Sequence, residues 1–129
     1  MNTRHAVVWL DHNEAHIFHL TPDSYAGEVI KSPHAHTKLH RKAGPTASSG
    51  HADEDQHYYH DIATHLAGAE ELLVVGPANA KVEFVRHLEH HDRDLKAKVV
   101  AVETMDHPSD KQIAAHARAY FNREGVSLR

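Results

Sequence analysis

Leu72–Val75 (LLVV) is a continuous apolar run that ends at Gly76-Pro77. A strand with one wet face alternates polar and apolar residues, so a run without alternation reads as a strand buried on both faces. Such a strand requires covering layers on either side. The downstream sequence supplies them. Gly76-Pro77 turns the chain into a helix, with Pro77 near its first position and Ala78, Val82, Val85 and Leu88 as its buried side. Val99–Val102 (VVAV) reads as a second fully buried strand. Ser109 then caps a last helix, Gln112 completes a capping box, Ile113, Ala117, Tyr120 and Phe121 form the apolar face, and Gly125 ends it.

Upstream, Ala6–Leu10 and Ala15–Leu20 read as a hairpin joined by the polar turn Asp11–Glu14. Thr21–Ser24 is a second turn, and Tyr25–Lys31 a third strand near a sheet edge, antiparallel to the second. A helix is expected from the acidic patch Asp53–Asp55 to about Gly68. Tyr58, Ile62, Leu66 and Ala69 mark its apolar face, and the acids lie at its positive end. The predicted order is β-β-β-α-β-α-β-α, a mixed five-stranded α/β sheet with helices on its faces, as in the ribonuclease H-like architecture. At 129 residues, with no linker or internal repeat, one domain is expected over 1–129.

Between the third strand and the first helix lies a long basic loop, 31–53. It has no apolar periodicity and carries Lys31, Lys38, Arg41 and Lys42, interleaved with His34, His36, His40 and His51. Loops of this length are uncommon in compact domains and commonly functional. The formal net charge is −4, so affinity for nucleic acid has to come from this local patch. Lys and Arg neutralise phosphates, and Gly44 lets the backbone approach closely.

Histidine is the compositional outlier, with 16 residues. Two chemistries follow beyond plain surface polarity. Imidazoles take zinc, nickel or copper, and His57, His60 and Asp61 share one helix face as a candidate metal set, without an HExxH motif. A histidine-rich surface also gains charge on mild acidification, the basis of a pH-responsive interaction module. Asp11 stands where a first-strand acid of a metal-dependent ribonuclease H-like nuclease or hydrolase would stand, but the end of LLVV offers no second carboxylate. At the Gly76 turn, free N–H groups with Lys81 one turn on form a candidate anion site, against the simpler reading of a tight packing turn.

There is no cysteine, which removes thiolate chemistry. The N-terminal apolar run is too short for a signal peptide, and no stretch approaches a membrane span. A soluble cytoplasmic protein is expected.

Two stretches give the chain a family likeness. LLVVGPANAKVEF, residues 72–84, is similar to the strand, Gly-Pro-Ala turn and helix in the middle domain of archaeal and eukaryotic class 1 peptide-chain release factors and their bacterial single-domain relatives. HRKAGPTA, residues 40–47, falls where that family has His-Gly-Lys-Gly-Gly-Gln-Ser-Ala. His40, Lys42, Gly44 and Ala47 match, and Thr46 replaces the serine. The resemblance implies the fold and a partner in the ribosome or structured RNA such as tRNA. Lys31, Lys38, His40, Arg41, Lys42 and Gly44 are the residues expected to touch it. Arg41 and Ala43 replace two family glycines, and Pro45 stands at the glutamine with which the family helps water attack peptidyl-tRNA. Proline has neither a side-chain amide nor a backbone N–H. The resemblance therefore implies an RNA-binding role without peptidyl-tRNA hydrolysis, no catalytic residue, and no cofactor unless the histidines bind zinc or another divalent ion.

Overall fold

The computed structural model describes residues 5–21, 25–32 and 47–123, with the side chains of the first helix described from Gln56 onward. Five strands form one sheet: β1 (His5–Leu10), β2 (Glu14–Leu20), β3 (Tyr25–Lys31), β4 (Glu71–Gly76) and β5 (Val99–Thr104). The helices are α1 (Ala47–His65), α2 (Ala80–His91), the short α3 (Arg93–Lys96) and α4 (Asp110–Arg123). Strand order is β3-β2-β1-β4-β5. The first three strands pair antiparallel, while β4 runs parallel to both β1 and β5. This is the expected ribonuclease H-like mixed sheet.

β1 lies at the centre and is buried along its whole length, as its unbroken apolar run requires. Period-two alternation sorts its side chains between two cores. Ala6, Val8 and Leu10 join Ile17, Leu72 and Val74 under Tyr58 and Ile62 of α1, Leu66 just past its end, and Phe84 and Leu88 of α2. Val7 and Trp9 join Phe18, Leu73 and Val75 under Ile113, Ala117 and Phe121 of α4. The apolar face expected for α1 is the buried one, and Tyr120 of α4 is partly buried. Gly68 ends the α1 region with φ of 93°, a left-handed conformation that glycine adopts without steric cost. The capping box of α4 is formed. The Gln112 N–H donates to Ser109 Oγ at 3.2 Å, and the Ser109 N–H donates to Gln112 Oε1 at 2.8 Å.

Two boundaries and two burial patterns differ from the sequence reading. α1 begins at Ala47, so the loop does not extend to 53, and no acid lies in the first turn. Adding a residue to an existing helix costs little, and these turns carry no apolar repeat to betray them. α2 starts at Ala80 after Asn79, which leaves Pro77 outside the helix. Its buried residues are Ala80, Lys81, Phe84, His87 and Leu88, whereas Ala78 and Val82 are exposed and Val85 is half-buried. The longer turn rotates the helix relative to the frame that Pro77 suggested. Finally, β5 is the edge strand of the described sheet, and Val100 and Val102, on one of its faces, are exposed.

Candidate functional site: the carboxyl edge of the parallel strands

β1, β4 and β5 all end at one edge of the sheet, at Leu10, Gly76 and Thr104. β3 ends at the same edge, since Lys31 pairs with Glu14 and Ala15 with Leu10. The basic loop therefore leaves the body here, just after Ser32, whose N–H donates to Asn13 O at 2.8 Å. In open α/β sheets, the crevice outside the carboxyl ends of parallel strands is the usual place for ligands.

Asp11 leaves β1 and holds the hairpin turn. Its Oδ1 accepts from the N–H groups of Asn13, at 2.8 Å, and Glu14, at 2.9 Å. Its Oδ2 faces His107 Nε2 at 3.8 Å, and its carbonyl accepts from the Tyr58 hydroxyl of α1 at 2.9 Å. The Asp11 carboxylate thus serves the turn. Beside it, Trp9 Nε1 donates to the carbonyls of Met105, at 3.1 Å, and Asp106, at 2.8 Å, tying β1 to the end of β5. The Trp9 ring contacts His16 and His107, with centroids 5.6 and 5.3 Å away. His16 bridges Glu14, at 2.8 Å, and Asp110 of α4, at 3.0 Å. Lys31 meets the same Glu14 carboxylate at 3.1 Å. Hydrogen bonds from His16 and Lys31 hold the Glu14 pKa below its ordinary value. The rim of the loop exit is a mixed ring of imidazoles and carboxylates, not a uniform cation patch.

The residues singled out in the sequence fall into three groups. Lys38, His40, Arg41, Lys42 and Gly44, together with Pro45, lie outside the described residues. Lys31 is exposed and already paired with Glu14. At the Gly76 turn, a Cβ would meet Leu10 O at 2.3 Å, so glycine is required for strand packing. Lys81 is buried and donates back to the Ala78 carbonyl, which closes the turn from within. His57, His60 and Asp61 are exposed on α1. Among the described residues, no group of three or more His, Cys, Asp or Glu side chains is gathered around a metal position.

A groove of about 400 Å³ lies between α1 and α2, bounded by Gln56, Tyr59, Glu83, Arg86, His87, His90 and His91. The Glu83 carboxylate accepts from the Tyr59 hydroxyl at 3.0 Å and faces His12 Nε2 at 3.4 Å, which links the groove to the hairpin turn. Burial, reinforced by His91, His60 and His90 and opposed by Asp92, pushes the His87 pKa down to about 4. Sequence reasoning missed this groove. The four-residue spacing of His87 and His91 is visible in the sequence, but a helix frame that starts at Pro77 puts Val82 and Val85 on the buried side.

The whole described architecture has counterparts among solved proteins. Archaeoglobus fulgidus Pelota superposes with a TM-score of 0.67 at 12% identity, over 98% of this chain and 33% of that one. An archaeal translation termination factor, aRF1, superposes at 0.65 with 15% identity, over 97% of this chain and 35% of its own. Thermoplasma acidophilum Pelota gives 0.56 at 16% identity, over 97% and 33%. At these identities the likeness is one of fold. The chain spans about a third of the length of these proteins, as a middle-domain-like unit does, and the resemblance read from the Gly-Pro-Ala turn holds at the level of fold. No family model matches the sequence. No curated protein matches it either. Among the described residues, no helix is long and apolar enough to cross a membrane.

Proposed function

We propose that this chain is a cytoplasmic, translation-associated domain that contacts the ribosome or structured RNA through the basic loop, without hydrolysing peptidyl-tRNA. The observation that carries the reading is the likeness of nearly the whole chain to one third of a translation termination factor and of Pelota. The loop supports it. It follows Ser32, which is held at the carboxyl edge of the sheet, and precedes the start of α1 at Ala47. Lys38, Arg41 and Lys42 lie between these two points in sequence and cluster positive charge within a chain of formal net charge −4. Pro45, at the position of the family glutamine, supports binding over catalysis.

Co-sedimentation with ribosomal particles tests the proposal. Wild type is expected in the pellet at low salt, and a variant with Lys38, Arg41 and Lys42 changed to Ala in the supernatant. Equal pelleting of the two proteins would overturn the assignment of the loop. Release of the peptide from peptidyl-tRNA by the wild type would overturn the assignment of a non-catalytic role.

A further inference from the structure

His87 and His91 stand four residues apart on α2, on one face of the helix, with ring centroids 4.6 Å apart. His87 is 6% exposed, and His91 is exposed. The Nδ1 of His87 lies 2.6 Å from Gln56 Oε1. An amide oxygen can only accept, so Nδ1 carries the proton and Nε2 bears the lone pair. That Nε2 is buried and has no hydrogen-bond partner among the described residues. His90, on the rim of the same groove, is held alike, with Nδ1 3.0 Å from the Arg86 carbonyl. An imidazole that spends its Nδ1–H on a carbonyl and leaves Nε2 free is the arrangement of a metal-ligating histidine.

We propose that the groove between α1 and α2 binds a late first-row divalent cation, of the zinc, nickel or copper class, clamped by His87 Nε2 and the imidazole of His91. Imidazole nitrogen selects these ions over magnesium or calcium, which take oxygen ligands. The two histidines make a clamp and not a cage, and water fills the remaining positions. The exposed His91 ring swings off its neighbour to admit the ion, and the cation gives His87 Nε2 the partner it lacks. Gln56 positions the His87 ring from α1, so the ion would pin α1 to α2. His57, His60 and Asp61 are not ligands in this arrangement.

The test uses full-length, tag-free protein stripped with EDTA and dialysed. Zn²⁺ is titrated calorimetrically at pH 7.5 against wild type, His91→Ala, His87→Gln and, as a control outside the groove, His107→Ala. One zinc equivalent is expected to bind wild type and His107→Ala equally, and each groove variant about tenfold or more weakly. In wild type, the ring protons of His87 and His91 are expected to broaden before those of other histidines when Ni²⁺ is added. His91 is exposed, so His91→Ala decides the matter even if His87→Gln fails to fold. Absence of a stoichiometric zinc site overturns the proposal. So does unchanged binding by His91→Ala, or early broadening at histidines outside the groove. None of these readouts involves RNA, so the outcome is separate from that of the ribosome experiment.

Discussion

A methyl group on Gly76 would lie 2.3 Å from the carbonyl oxygen of Leu10. The obstacle is the backbone of the central strand, which cannot swing aside as a side chain can. Gly76→Ala is therefore expected to cost about 1–3 kcal/mol, the range of an overpacked core, read as a lower urea midpoint at unchanged slope. His87 governs a different property. Its folded pKa is about 4 against an ordinary value of 6.5. Below about 6.5 the unfolded chain takes up a proton that the folded chain refuses, so stability falls as pH drops from about 6.5 to about 4. Glu14 also loses its contribution in acid, but only below its ordinary value of 4.5, because its folded pKa is lowered. Unfolding in EDTA-containing buffer at pH 7, 5.5 and 4.5 separates the two. Wild type is expected to lose more stability than His87→Gln between pH 7 and 4.5. Parallel curves would show that burial does not hold the imidazole neutral.

The elements themselves were legible wherever a local pattern settles them. The hairpin, the α1 face from Tyr58 to Ala69 and the Ser109–Gln112 box need only periodicity and capping chemistry. What failed depends on the rest of the molecule. LLVV and VVAV look alike in sequence, yet β4 has strands on both sides and β5 has one. A run of branched apolar residues records strand propensity, and burial is decided by neighbours that the run does not encode. The distinction has a measurable consequence. Leu73→Ala, in the centre, is expected to cost about 2–5 kcal/mol, whereas Val102→Ala, at a site 41% exposed, is expected to cost under about 1 kcal/mol. Similar losses for the two would mean that the edge of β5 is covered in solution. The frame of α2 failed for a related reason. Pro77 is a fair helix-start signal, but the turn continues to Asn79, and the shift moves Phe84 and His87 inward while Val82 moves out.

Across the whole molecule, charge is what couples the fold to its proposed partner. The candidate loop was legible as a cluster of cations, but the rim from which it leaves was not. The pair Asp11 and Glu14 is far in sequence from the pair Asp106 and Asp110, and only the parallel strands and the N-terminus of α4 bring the two pairs to one edge with His16 and His107. An acidic body with a basic loop faces RNA with opposing terms. The loop cations release counterions from phosphates, while carboxylates near the loop exit repel the same backbone within about 10 Å at 0.1 M salt. Each lost phosphate contact lowers the slope of log affinity against log salt by about 0.7–0.9. Changing Lys38, Arg41 and Lys42 to Ala is therefore expected to reduce the slope by about 2–3. Asp106→Asn, at a side chain 93% exposed, is expected to do the reverse on a smaller scale. Affinity for ribosomal particles should rise about twofold at 50 mM salt, and the gain should vanish by about 300 mM, where the screening length falls well below 10 Å. Filter binding across that series measures both variants together. A slope unchanged by the loop substitutions would remove the loop as the phosphate contact, and an Asp106→Asn affinity equal to wild type at 50 mM would show that the carboxyl edge faces away from the RNA.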